Sequence, residues 1–188
     1  MSPTSGPGRA EETRAWTADV VRSGLWDAEE VLRQVVEAVA EDLPDLDAGA
    51  TAQRWIAEAW SDWRADAATW PAVTDHDRLV EVFARLEAAG IPVLQGCTDH
   101  WDARDRLREG SHRGIAWFTP PDVWHAIGEG MLEVNLWHGS GANVAPGDAL
   151  LEESVVAFAD AGLAAHFDEG RIEVAAYWQR RPPLVSGV

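Results

Sequence analysis

Residues Gly114–Trp137 read GIAWFTPPDVWHAIGEGMLEVNLW, and this stretch decides the fold. Ile115-Ala116-Trp117-Phe118 is a continuous apolar run, short and aromatic enough to predict a buried strand. Thr119-Pro120-Pro121 stops its ladder, because neither proline has a backbone N–H to donate. Thr119 suits a helix cap, proline the first turn, and Asp122 the positive end of the helix. That short helix runs through Ile127 and ends at Gly128 and Gly130. A second strand then places Leu132, Val134 and Leu136 on one face and Glu133, Asn135 and Trp137 on the other. The unit is strand–helix–strand, and its apolar faces require further elements to cover them.

Upstream, Ile91–Gln95 reads as another strand, followed by an irregular or helical connection over Asp99–Arg108. Thr74-Asp75-His76-Asp77 opens a helix whose Leu79, Val82, Phe83 and Leu86 face one way, and Ala88-Ala89-Gly90 ends it. Before Trp70-Pro71 three helices are predicted, over about residues 10–22, from Trp26-Asp27 to Leu43, and over residues 48–67. In the second, Val31, Leu32, Val35, Val36 and Val39 fall within roughly 140°, and in the third Trp55, Ile56, Ala59, Trp60 and Trp63 do the same. Downstream, the helix holding Leu150, Leu151, Val155, Phe158 and Leu163 is apolar around well over half its circumference, which predicts deep packing. A hairpin over 164–168 and 171–178 turns at Asp168-Glu169-Gly170.

The fold class expected is therefore α+β, a helical N-terminal portion packed on a small mixed β-sheet with covering helices. Residues 1–9 read as a disordered tail, 10–70 as the helical portion and 71–181 as the α+β portion of the same domain. Residues 182–188 read as a loose tail, with the looseness beginning near Arg180.

Thirty-two acidic residues face fifteen basic ones, a formal net charge of −17. Such a surface repels phosphate backbones and anionic membranes, so direct nucleic-acid binding is not expected and a basic protein partner is. All fifteen basic residues are arginine. Lysine Schiff bases and a P-loop lysine are excluded. The single Cys97 leaves no intrachain disulfide, and neither a signal-like apolar core nor a membrane-length run occurs. A cytoplasmic protein is expected.

Several segments carry a likeness. They are Ala68-Thr69-Trp70-Pro71-Ala72-Val73-Thr74-Asp75 with Asp77-Arg78-Leu79, then Leu86–Ile91, Gly114–Phe118, Met131–Gly139, and Ala161-Gly162-Leu163 through Trp178. With them the chain resembles, over most of residues 16–181, an uncharacterised actinobacterial family defined as a domain of unknown function. The resemblance implies the architecture and brings no activity. Many members have a cysteine-rich turn after the strand equivalent to Ile91–Gln95, which would imply zinc. Here the turn is Cys97-Thr98-Asp99-His100-Trp101-Asp102, with only Cys97, Asp99 and His100 as ligands.

Cys97 and His100 have CxxH spacing, and His112 follows within a loop's return, whereas zinc takes about four thiolate, imidazole or carboxylate ligands. The competing reading is a semi-buried thiol beside a helix cap made by Thr98 or Asp99. Asp75-His76-Asp77 offers a carboxylate–imidazole pair, although helix capping accounts for it. Gly139-Ser140-Gly141 lacks the pattern of a phosphate loop. His125 and His138 have no acidic partner at short range, and His166 can meet Glu173 across the hairpin.

Trp101, Trp124 and Trp137 sit among polar residues and are the tryptophans expected to line a pocket or interface. A ligand or partner surface is placed on Glu133, Asn135 and Trp137 at the edge of the central unit, approached by Trp124 and His125 and bordered by the Cys97–Trp101 turn. The alternative is that helices cover both sheet faces and Trp137 is core. Two functions follow. One is a non-enzymatic binding or regulatory protein with a basic partner. The other is a metal-binding protein or metal-dependent hydrolase using Cys97, Asp99, His100 and His112. No cofactor is expected on the first reading, and zinc enters only with the second.

Overall fold

The computed structural model describes residues 7–183, and two compact units account for the chain. Met1–Trp70 and Arg180–Val188 make the first, which is helical. Its helices are α1 (Pro7–Ser23), α2 (Ala28–Asp42) and α3 (Ala48–Ala67). Helix α1 takes in residues 7–9, which were expected in the tail; residues 1–6 and 184–188 lie outside the described residues. Asp27 and Asp47 cap α2 and α3, accepting the N–H groups of Glu30 and Ala50 at 2.9 Å. On α2, Val31, Val35 and Val39 are buried, while Leu32 at the margin of the predicted stripe is exposed. Trp55, Ala59 and Trp63 are buried on α3, with Thr51, Ala52 and Ala67.

The expected looseness at Arg180 is corrected. The Trp63 indole N–H donates to the Arg180 carbonyl at 2.8 Å, and Arg181 Nη1 donates to the Ala67 carbonyl at 3.2 Å. A buried indole N–H requires an acceptor, and the returning chain supplies it. Proline-rich composition says nothing of such an anchor.

Asp19 on α1 is half-buried, and burial pushes its carboxyl up to about 6, with Arg22 pulling only partly the other way. That value lies above the roughly 3.9 of an unfolded chain. The carboxyl's contribution to stability is therefore full below about pH 4 and lost as pH rises through about 6. Asp19→Asn is expected to stabilise the protein by on the order of 1–2 kcal/mol at pH 8, allowing for partial solvent access, and by little at pH 4. Urea midpoints at the two pH values check this, and equal shifts would mean that Asp19 is not desolvated.

Pro71–Gln179 form the second unit. In chain order it holds α4 (Asp75–Ala88), β1 (Val93–Gln95), α5 (His100–Arg108), β2 (Gly114–Phe118), α6 (Pro120–Gly128), β3 (Met131–His138), α7 (Ala149–Asp160), β4 (Ala165–Asp168) and β5 (Arg171–Ala175). The strands order as β1-β2-β3-β5-β4, with β1 parallel to β2 and the other pairs antiparallel. This is the mixed sheet of an α+β fold. Strand β3 is its middle strand rather than an edge, because β5 returns to pair with it.

Capping boxes start α4 at Thr74/Asp77 and α6 at Thr119/Asp122, as the cap reading of both segments requires. The carboxylates beside His76 are thereby occupied. Asp77 caps, while Asp75 pairs with Arg78 at 3.0 Å and accepts the Tyr177 N–H. Strand β2 is buried throughout. Its register puts Ala116 against Leu136, and β5 puts Ile172 and Val174 against Val134 and Leu132, making one apolar layer. On the opposite face Ile115 pairs with Trp137 and Trp117 with Asn135. There Cys97, Ala103, Ile115, Trp117 and Trp137 form a buried cluster with Leu94 and Leu107.

Helix α7 is buried at Leu150, Leu151, Ser154, Ala157 and Phe158, but Val156 is 55% exposed. Its apolar circumference is wider than the surface that covers it. Among the described residues, no helix is long and apolar enough to cross a membrane.

Candidate functional site

The CxxH turn is organised by backbone geometry. Cys97 is buried, its N–H and its thiol both directed at the Phe118 carbonyl at 3.1 and 3.4 Å. Burial, reinforced by Asp102, Asp122 and Asp99, pushes the thiol's pKa up to about 12, so at neutral pH it stays protonated. Asp99 caps α5, accepting the Trp101 N–H at 2.7 Å, and Asp102 accepts the Thr98 N–H at 2.7 Å. The His100 ring tilts onto Trp101 with centroids 4.8 Å apart. His112 Nε2 is buried against Gly110 without a hydrogen-bond partner. A metal needs thiolate and free lone pairs converging on one point. Among the described residues no group of three or more His, Cys, Asp or Glu side chains is placed to hold a metal ion.

Two of the suspected tryptophans do meet, through a residue that composition did not single out. Arg104, one turn along α5, lies 5.2 Å from the ring centroid of Trp101 and 5.8 Å from that of Trp137. Trp137 is buried and packs edge-on against Trp117 at 5.1 Å. Trp101, by contrast, is 52% exposed. Ten of the fifteen arginines form ion pairs among the described residues, as an excess of carboxylates requires. Arg104 forms none there and stacks instead. A cleft of 220 Å³ opens beside it, lined by Leu107, Arg108 and Gly139-Ser140-Gly141.

The other predicted residues make contacts of their own. Glu133 pairs with Arg171 across β3 and β5, and Asn135 stands opposite Trp117 and Arg171 in the ladder. His166 reaches Glu173 at 3.3 Å across the hairpin, in line with the sequence pattern. On α6, Trp124 is half-buried and His125 is exposed. A pair not anticipated is His138 Nε2 with Asp148 Oδ2 at 2.9 Å. The same oxygen accepts the Ala145 N–H at 2.7 Å, and these two bonds hold the Asp148 carboxyl below its usual range. Ten residues separate the partners, so only the loop's path reveals the pair, which clamps the loop before α7.

The helical unit has a cavity of its own. It measures 310 Å³ and is walled by Val21, Trp26, Val31, Ile56, Trp60 and Trp63, with Arg180 at its side. Sequence reading missed it, although the apolar stripe of α3 already contained Ile56, Trp60 and Trp63.

No curated protein and no solved structure matches this chain. Residues 8–182, which span both units, match the family described as Domain of unknown function (DUF6891). The chain belongs to that family.

Proposed function

We propose that this chain is a non-enzymatic binding protein that engages a basic protein partner through the surface of α5, with Trp101 as the anchor. The observation that carries the reading is the exposure of Trp101. Of eleven tryptophans it alone is exposed, and it stands on a helix that is capped by Asp99 and carries Asp102 and Asp105 beside Arg104, Arg106 and Arg108. The stacked Arg104 guanidinium illustrates what this indole attracts, since the ring's negative face favours a cation. Residues 71–179 hold eighteen carboxylates against seven arginines, which adds long-range attraction for a basic surface. Tryptophan and arginine, here side by side, are the residue types enriched at interface hot spots.

The test is affinity capture followed by titration of the captured partner at low and high salt. Binding should weaken with salt. Trp101→Ala should weaken it by about tenfold or more while changing stability by no more than about 0.5 kcal/mol. A partner whose binding ignores both salt and Trp101→Ala would overturn the reading.

A further inference from the structure

We infer that the helical unit binds a small apolar monocarboxylate in the tryptophan-walled cavity, with Arg180 as the group that takes the carboxylate. The site is independent of α5. At 310 Å³ the cavity holds the volume of about ten waters, the small end of ligand pockets. Its lining is apolar and aromatic apart from Arg180 and Asp27. The Trp60 and Trp63 rings lie 4.9 Å apart at 34°, a wall suited to a flat ring or a branched chain.

Arg180 makes this more than a greasy hollow. Its guanidinium lies against the bare backbone of Gly24, where a Cβ would come within 2.9 Å of Nε. Glycine is required there twice over, since its φ is +60°. The side chain is half-buried, and burial pushes its pKa down from its ordinary value with no carboxylate acting against that. Among the described residues no carboxylate stands within ion-pair distance of it, in a chain with thirty-two of them. A cation half-removed from water beside an apolar cavity gains by being paired. A ligand carboxylate would pair with it in the bidentate geometry that guanidinium favours.

Asp27 narrows the class. Its Oδ1 already accepts the Glu30 N–H, and its charge at the cavity disfavours a dianion such as phosphate. A monoanion with an apolar body is the chemistry that remains.

The experiment uses the intact chain, with sodium phenylacetate, the neutral phenylacetamide and inorganic phosphate as probes, read by tryptophan fluorescence and calorimetry. Phenylacetate should bind saturably, phenylacetamide about tenfold or more weakly, and phosphate not at all. Arg180→Gln should bring phenylacetate down to the level of the amide and leave the amide unchanged. The proposal is overturned if acid and amide bind alike, if the acid does not saturate at millimolar concentration, or if phosphate competes equally. Should Arg180→Gln fail to fold, the acid-to-amide ratio on the unaltered chain still decides.

Discussion

Trp137→Ala is expected to destabilise the protein by about 3–5 kcal/mol, the range for truncating a buried large aromatic. The indole is 8% exposed and meets Trp117 edge-on, with Ile115 opposite it on β2. Neighbouring backbone leaves little room for collapse into the void. A Cβ on Gly114 would sit 2.5 Å from the Trp137 carbonyl, so the two strands are already at closest approach there. The removed ring also withdraws one of the two surfaces on which Arg104 stacks. Urea unfolding followed by far-UV circular dichroism measures the loss. Trp101→Ala in the same assay should be nearly silent, because that ring is largely in solvent. A loss under about 1 kcal/mol for Trp137→Ala would show that the ring is not core and would return it to the surface reading.

Trp137 also shows where the sequence stops being legible. Alternation along β3 assigned it correctly to the face of Glu133 and Asn135, and the ladder agrees. Alternation cannot say which end of that face is covered. Helix α5 and the Cys97 turn lie over the Trp137 end, while Glu133 pairs with Arg171 on strand β5. The strand's own residues carry no record of either neighbour. For the same reason the central place of β3 was unreadable, since it depends on β5 returning from more than thirty residues downstream.

Signals confined to one segment were readable. The apolar run of β2 is buried at every position, and Thr74 with Asp77 forms the capping box that their spacing suggests. The turn at Asp168-Glu169-Gly170 joins β4 to β5, with Glu169 and Gly170 both at positive φ. Sites assembled from distant segments were not readable. Arg104 is unremarkable among fifteen arginines in the sequence, and only its stacking on Trp101 and Trp137 in place of an ion pair sets it apart. The tryptophan-walled cavity draws on α1, α2, α3 and a C-terminal stretch that composition marks as tail.

That C-terminal stretch gives the second large effect. Trp63 is 1% exposed, and its indole N–H is committed to the Arg180 carbonyl at 2.8 Å. Trp63→Ala should cost about 3–5 kcal/mol, with the cavity already beside it offering no atoms to refill the space. Trp63→Phe separates packing from the hydrogen bond. It keeps most of the ring volume but leaves the Arg180 carbonyl without its donor, a loss of about 1–3 kcal/mol where the group cannot reach water. The local consequence is more specific than the global one. Arg180 and Arg181 adjoin a bond that trypsin can cut, and its opening is governed by how firmly the returning chain is held on α3. Under native conditions Trp63→Phe should be nicked there faster than the unaltered protein, by more than its change in global stability explains. Equal cleavage rates would mean that this hydrogen bond does not hold the segment, and that the Arg180 side chain on Gly24 and the Arg181 bond to the Ala67 carbonyl hold it instead.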